Sequence, residues 1–173
     1  MHNDRYEHAA ADTPHGGWQF LTFQLDRELF GLNIAGIHEI IEYRTPTPVP
    51  TMPACVRGVI NLRGAVVPVV DLQSRLGRAP SQVTRRSCIV IATAATDEAG
   101  GAQSFGLLVD AVNEVLELQP QQIEAPPSFG SDIRRDLLQG MGKLEDRLVI
   151  LLDRARLLRS DDIAEAGAPA LAA

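Results

Sequence analysis

The sequence predicts a mostly β protein made of two similar five-stranded units that share one core. Two observations carry this. Ten short segments rich in β-branched residues are separated by Gly, Pro and Asp turns, a spacing that favours barrels or a sandwich over a parallel α/β sheet. The chain also repeats itself. FGLNIAGIHEIIEY (30–43) aligns with FGLLVDAVNEVLEL (105–118) at an offset of 75. RGVINLRGAVVPVVDLQSRL (57–76) aligns with QGMGKLEDRLVILLDRARLL (139–158) at an offset of 82. A unit of this size is marginal alone, so a tandem pair with a continuous core is expected.

Residues 1–17 are polar and without periodicity, and read as a disordered tail. WQFLTFQL (18–25) is apolar on both faces, as a largely buried strand would be. LFGLNI (29–34), IHEIIEY (37–43), RGVINL (57–62) and AVVPVV (65–70) follow. The second half supplies SCIVIATA (87–94), SFGLLV (104–109), VNEVLEL (112–118), QGMGKL (139–144) and RLVILL (147–152). Three stretches read as helical: 71–77, 131–140 and 153–160, the first two ending on Gly77 and Gly140. Asp71 and Asp153 recur at the start of two of these turns, where N-capping is the plain reading. Phe30 and Phe105 should fill matching buried sites, and so should Leu62 and Leu144. The Ala-rich segment 160–173 reads as a second disordered tail, leaving a body at 18–159 that divides near 18–77 and 87–159.

Charge excludes several functions. The net charge is −6, but the two tails hold −5 of it and the body only −1. A nucleic-acid binder needs a basic excess on its folded part, and 5% aromatic residues leave few stacking platforms. A small nucleic-acid-binding β-barrel is therefore the alternative from another class; steeply salt-dependent oligonucleotide binding would revive it. No apolar run reaches the length of a membrane span. Cys55 and Cys88 have no metal-ligand spacing and read as small buried residues. There is no phosphate-binding loop, nucleophile elbow or HExxH motif. His38 and Glu39 alternate along a strand and diverge. Glu39 and Glu42 recur as Glu114 and Glu117, which points to a role shared by both units. No enzyme, cofactor or metal is expected.

Two features favour a binding surface. RTPTPVPTMP (44–53) holds Pro46, Pro48, Pro50 and Pro53 and cannot pair as a central strand; it suits a connector or a docking ledge. The hairpin tip Asn61-Leu62-Arg63-Gly64 aligns with Lys143-Leu144-Glu145-Asp146. The opposite charges of Arg63 and Glu145 suggest that the two tips have specialised.

These blocks resemble the CheW family of chemotaxis coupling proteins. The similarity rests on FGL…I.EI…Y at 30–43, P..PACVRGVINLRGAVVPVVDL at 50–72, FGLLVDAVNEVLEL at 105–118 and QGMGKLEDRLVILLD at 139–153. It implies two interleaved, pseudo-symmetric five-stranded SH3-like β-barrels around a hydrophobic core, with short helices. It implies a non-enzymatic cytoplasmic adaptor in a two-component system, bridging chemoreceptor tips to the regulatory domain of the histidine kinase CheA and recruited to membrane-associated receptor arrays. A CheW-like scaffold of a pilus or surface-motility cluster is the alternative within the family. Carried over by position, Ile37, Glu39, Gly58 and Arg63 fall in the receptor-coupling face, with Val109 and Val112 across the groove between barrels. Val49, Met52, Pro53 and Leu72 fall where the family meets the kinase. Ring-forming contacts with the kinase or other CheW-like chains also lie within the resemblance. The longer N-terminus and the loop 93–103 depart from the family pattern.

Overall fold

The computed structural model describes residues 18–95, 101–126 and 134–159. Both expected tails lie outside them. Eleven strands are formed among the described residues: β1 (Trp18–Leu25), β2 (Glu28–Asn33), β3 (Ile37–Glu42), β4 (Val56–Leu62), β5 (Ala65–Asp71), β6 (Cys88–Ala95), β7 (Ala102–Val109), β8 (Ala111–Leu118), β9 (Ile123–Glu124), β10 (Leu138–Lys143) and β11 (Leu148–Leu152). Two single-turn helices, α1 (Leu72–Arg75) and α2 (Arg154–Leu157), follow β5 and β11. All ten expected strands are present.

The strands form a six-stranded sheet, β8-β1-β2-β11-β10-β9, and a five-stranded sheet, β3-β6-β7-β5-β4. The repeat maps one order onto the other: β1 takes the place of β6, β2 of β7, β8 of β3, β11 of β5 and β10 of β4. The units are therefore exchanged rather than tandem. The β1–β2 hairpin sits with β8–β11, and β6–β7 sits with β3–β5, so neither 18–77 nor 87–159 is a structural unit. The repeat glycines mark the parallel joins. Gly31 lies beside Leu151, and Gly106 beside Val69. A Cβ on Gly31 would come 2.9 Å from Leu151 Cδ2, and one on Gly106 2.7 Å from Ile89 Cγ2.

Alternation along the strands divides the apolar side chains into three clusters. Val70, Val90, Ala92 and Leu107 of one sheet meet Leu21, Phe23, Phe30 and Leu32 of the other in the large shared core. The opposite face of the five-stranded sheet closes on Ile60, Val67, Val69, Ile89, Ile91 and Leu108. That of the six-stranded sheet closes on Phe20, Leu118, Val149 and Leu151. Phe30 (0% exposed) and Phe105 (6%) both lie in the shared core. Leu62 and Leu144 match each other too, but are only half-buried, each against its own sheet's cluster.

Asp71 and Asp153 cap their helices as expected. Asp71 accepts from Gln73 N at 3.1 Å and Ser74 N at 3.5 Å, and Asp153 from Arg156 N at 3.2 Å. The helix expected at 131–140 does not extend through its described part. One 3-10 turn (Arg135–Leu137) gives way to β10, because Leu138 and Gly140 pair with Leu152 and Leu151; residues 131–133 lie outside the described residues. Strand β9 was not expected. It is two residues long, too short for any periodicity to register.

Candidate surface at the strapped hairpin and the ledge

The turn between β4 and β5 has only two residues, Arg63 and Gly64, between the paired Leu62 and Ala65. Both have positive φ, 51° and 85°, the type I′ geometry that suits the right-handed twist of a hairpin. Asn61 Oδ1 accepts from Gly64 N at 2.9 Å and fixes the turn. Arginine is an unusual occupant of the first position, where Asn, Asp or Gly fit at lower strain. Its guanidinium reaches the Glu39 carboxylate with both terminal nitrogens: Nη1 donates to Oε1, and Nη2 to Oε2 at 2.7 Å. Glu39 lies on β3, at the opposite edge of the same sheet from β4. The pair thus straps one edge to the hairpin tip at the other. Arg63 holds the Glu39 carboxyl below the usual carboxylate range, with Arg44 and His38 adding smaller effects in the same direction.

The other sheet carries an equivalent strap. Glu114, on edge strand β8, accepts from Arg147 Nη2 at 3.3 Å, and Arg147 follows the β10–β11 tip. Arg147 aligns with Ala65, two positions beyond Arg63, and reaches the repeat equivalent of Glu39. The opposite charges of Arg63 and Glu145 thus stand beside a shared pairing, with the second hairpin's arginine two positions further on. Each edge acid stands at a bulge. In β8 the buried Thr22 hydroxyl bridges it, donating to Glu114 O at 2.7 Å and accepting from Glu114 N at 3.1 Å. In β3 the register shifts between Ile37 and Glu39, and His38 turns to the Thr93 hydroxyl instead.

The ledge is anchored at Thr47, whose N and O exchange hydrogen bonds with Val59 at 2.8 and 2.9 Å. Gly58 makes that approach feasible. Its φ is +141°, and a Cβ there would overlap the Thr47 carbonyl. Here too the repeat holds: β9 lies along β10 as the ledge lies along β4, and a Cβ on Gly140 would come 2.8 Å from Glu124 O. The signal that could have found β9 is the pairing of Gly58 with Gly140 and the prolines after Thr47 and Glu124. Beyond Thr47 the ledge presents Val49 to solvent and leaves Met52 and Pro53 half-buried. Cys55, buried in the shared core, ends it; desolvation pushes its thiol up. Arg57 then joins the ledge to α1, because its Nε donates to buried Asp71 at 3.1 Å. Ser81 donates to the same carboxylate from both its N and its Oγ, at 2.9 and 2.7 Å.

The residues singled out by position separate by exposure. Arg63 and Val49 are exposed; Ile37, Glu39, Val112, Met52 and Pro53 are half-buried. Ile37 and Val112 are repeat equivalents, and both pack on the shared core. Val109 and Leu72 are different: both are 0% exposed inside that core. Their side chains have no surface to offer a partner and act by packing, because strand alternation and the α1 turn point them inward. Among the described residues no three His, Cys, Asp or Glu side chains gather as a metal site would require, and no helix is long and apolar enough to cross a membrane.

Comparison with known proteins agrees with this architecture. Residues 19–162 match the family model described as the CheW-like domain. The chain is 34% identical over 154 residues to a chemotaxis protein CheW of Rhizobium meliloti (strain 1021), covering 89% of this chain and 96% of the relative. It is 30% identical to a chemotaxis protein CheW of Thermotoga maritima, covering 86% and 92%. The crystal structure of the scaffolding protein TtCheW from Thermoanaerobacter tengcongensis superposes with a TM-score of 0.73 at 32% identity, covering 84% of this chain and 90% of that one.

Proposed function

The chain belongs to the CheW family of chemotaxis scaffold domains, and from that membership we propose that it is a non-enzymatic adaptor coupling chemoreceptor tips to the regulatory domain of the histidine kinase CheA. The observation that carries the reading is the family match over 19–162, which includes every block on which both docking faces stand. The receptor face comprises Ile37, Glu39, Arg63 and Val112, with buried Gly58 and Val109 acting beneath it. Arg63 supports this assignment, because the turn it occupies favours Asn or Gly and the strap alone can be made two residues further on, as Arg147 makes it. The kinase face comprises Val49, Met52 and Pro53, held by the Thr47 anchor and the Arg57–Asp71–Ser81 network, with Leu72 in the core below. An exposed valine and a half-buried methionine on a stiff segment suit an apolar interface core with a polar rim. The adaptor acts at membrane-associated receptor arrays through these partners, and ring-forming contacts with the kinase or other CheW-like chains belong to the same reading.

The test is reconstitution with receptor cytoplasmic fragments and CheA. The chain should co-sediment with both and raise kinase turnover. Val49→Glu and Met52→Glu should each weaken kinase binding at least tenfold, equivalent to about 1.4 kcal/mol, while receptor binding survives. Unchanged kinase affinity in both variants removes the ledge from the interface. Failure of the parent chain to associate with either partner overturns the adaptor reading.

A further inference from the structure

A loop at residues 81–87 is tied to the ledge at both ends. At one end Ser81 donates from N and Oγ to the Asp71 carboxylate that Arg57 also reaches. At the other, Tyr43 N donates to Ser87 O at 3.3 Å. Arg44 and Arg86 are the next residues beyond that bond on the two segments. Arg85 and Arg86 form the centre of a tight turn. Thr84 N donates to Ser87 Oγ at 2.8 Å, Ser87 N to Thr84 O at 3.1 Å and Arg86 N to Thr84 Oγ1 at 3.2 Å. Arg44, Arg85 and Arg86 are exposed, and none of them forms an ion pair among the described residues. Arg44 adds only a smaller effect at Glu39, which Arg63 already holds. Glu42, the nearest acid along the chain, pairs with none of the three. The fold does not call for this charge. Like charges brought side by side cost stability, and the repeat carries neutral Gln119 at the position of Arg44.

We propose that ledge and loop form one docking surface, and that its basic end, Arg44, Arg85 and Arg86, takes a carboxylate-rich segment of the protein partner that covers Val49 and Met52. That this partner is the kinase rests on the adaptor reading; the acidic chemistry rests on the arginines. A guanidinium presents a planar fork that matches a carboxylate, and the turn's hydrogen bonds hold the backbone of two of the three in place. The neighbours select a protein over a phosphate-bearing surface. Val49 is exposed and Met52 half-buried along the ledge, and Val83, in the loop, is 43% exposed. These side chains offer nothing to a phosphate, and a body carrying −1 does not attract an extended polyanion. Charges beside an apolar contact set the encounter rate and the choice of partner more than the final affinity.

The first test compares the full chain with its Arg44→Gln/Arg85→Gln/Arg86→Gln variant, whose exposed positions leave the fold intact. Association with the CheA regulatory domain is followed as ionic strength rises from about 0.01 M to about 1 M, where the screening length falls from about 30 Å to about 3 Å. The parent's on-rate should fall steeply with salt. The variant should associate about tenfold more slowly at low salt and lose most of that slope, with off-rate and receptor-fragment binding little changed. Equal on-rates and equal salt slopes overturn the proposal and leave the adaptor reading standing. Where the kinase binds neither form, the adaptor reading fails and a second test decides the proposal by itself. A short Glu-rich peptide carrying one Leu is titrated into the full chain by NMR. Amide signals at 43–46 and 82–88 should move, those at Arg27 and Arg159 should stay, and the same peptide with Gln for each Glu should move none. Shifts spread equally over Arg27 and Arg159 overturn the proposal. So does tighter binding of phosphatidylglycerol vesicles or of an oligonucleotide through the same three arginines.

Discussion

Arg63 joins two demands that pull apart. The I′ turn would be relaxed by Asn or Gly, yet the arginine side chain, 72% exposed, is held in a two-pronged pair with Glu39. Exposed pairs add little to stability, so Arg63→Ala should melt within a few degrees of the parent while failing to support kinase activation in the receptor reconstitution. Full activation by a stable variant would remove Arg63 from the coupling face. The same variant tests the electrostatics. Glu39 has a lowered carboxyl pKa in the folded chain, so its pairing contributes above the unfolded-state pKa and is lost as pH falls through the folded one. Carboxyl NMR should show the Glu39 midpoint rising toward the ordinary value in Arg63→Ala. Cys55 offers a second check at this scale. Its thiol is buried and its ionisation suppressed, whereas Cys88 is half-buried. A thiol reagent at neutral pH should modify Cys88 first and Cys55 only on unfolding; early labelling of Cys55 would mean the ledge opens in the native state.

The ledge and β9 are the same device used twice, each held against a strand by a glycine that clears its carbonyl. The two glycines are not equally constrained. Gly58 combines a positive φ with backbone overlap, and Gly140 has the close contact alone. Gly58→Ala should therefore cost about 3 kcal/mol and Gly140→Ala about 1 kcal/mol in urea unfolding. Equal costs would mean that φ contributes nothing at Gly58. Residue pattern exposed the repeat glycines but not their purpose, because the atom each one avoids belongs to a segment with no periodic signal of its own. The second hairpin's arginine escaped the alignment for a related reason. Position-by-position alignment sets Glu145 against Arg63 and reports opposite charge, whereas a long arginine side chain two residues away reaches the equivalent edge acid.

Across the whole molecule, the exchanged strands and shared core make independent halves impossible. Phe23 and Phe30 stack with ring centroids 6.3 Å apart in a cluster that also holds Phe105 and Val90. Unfolding followed by far-UV circular dichroism and by Trp18 fluorescence should give one coincident transition, as two-state behaviour requires. Phe30→Ala and Phe105→Ala should each lower stability by about 3–5 kcal/mol without splitting it. Two separable transitions would contradict a common core.

Sequence alone determined every described strand except β9, the duplicated order, the capping aspartates and the blocks that mark the family, because each is written in local periodicity or in a motif of contiguous residues. It also placed Phe30 and Phe105 in the core. The resemblance implied interleaved units, but only the tertiary structure decided which strands cross from one half of the chain to the other. The two repeats present chemically equivalent edges, with Gly31 or Gly106 facing Leu151 or Val69, so a tandem pairing and an exchanged one satisfy the same local pattern. The choice between them lies in the path of the connecting segments, and with it the strapping of each sheet's free edge to its own hairpin tip.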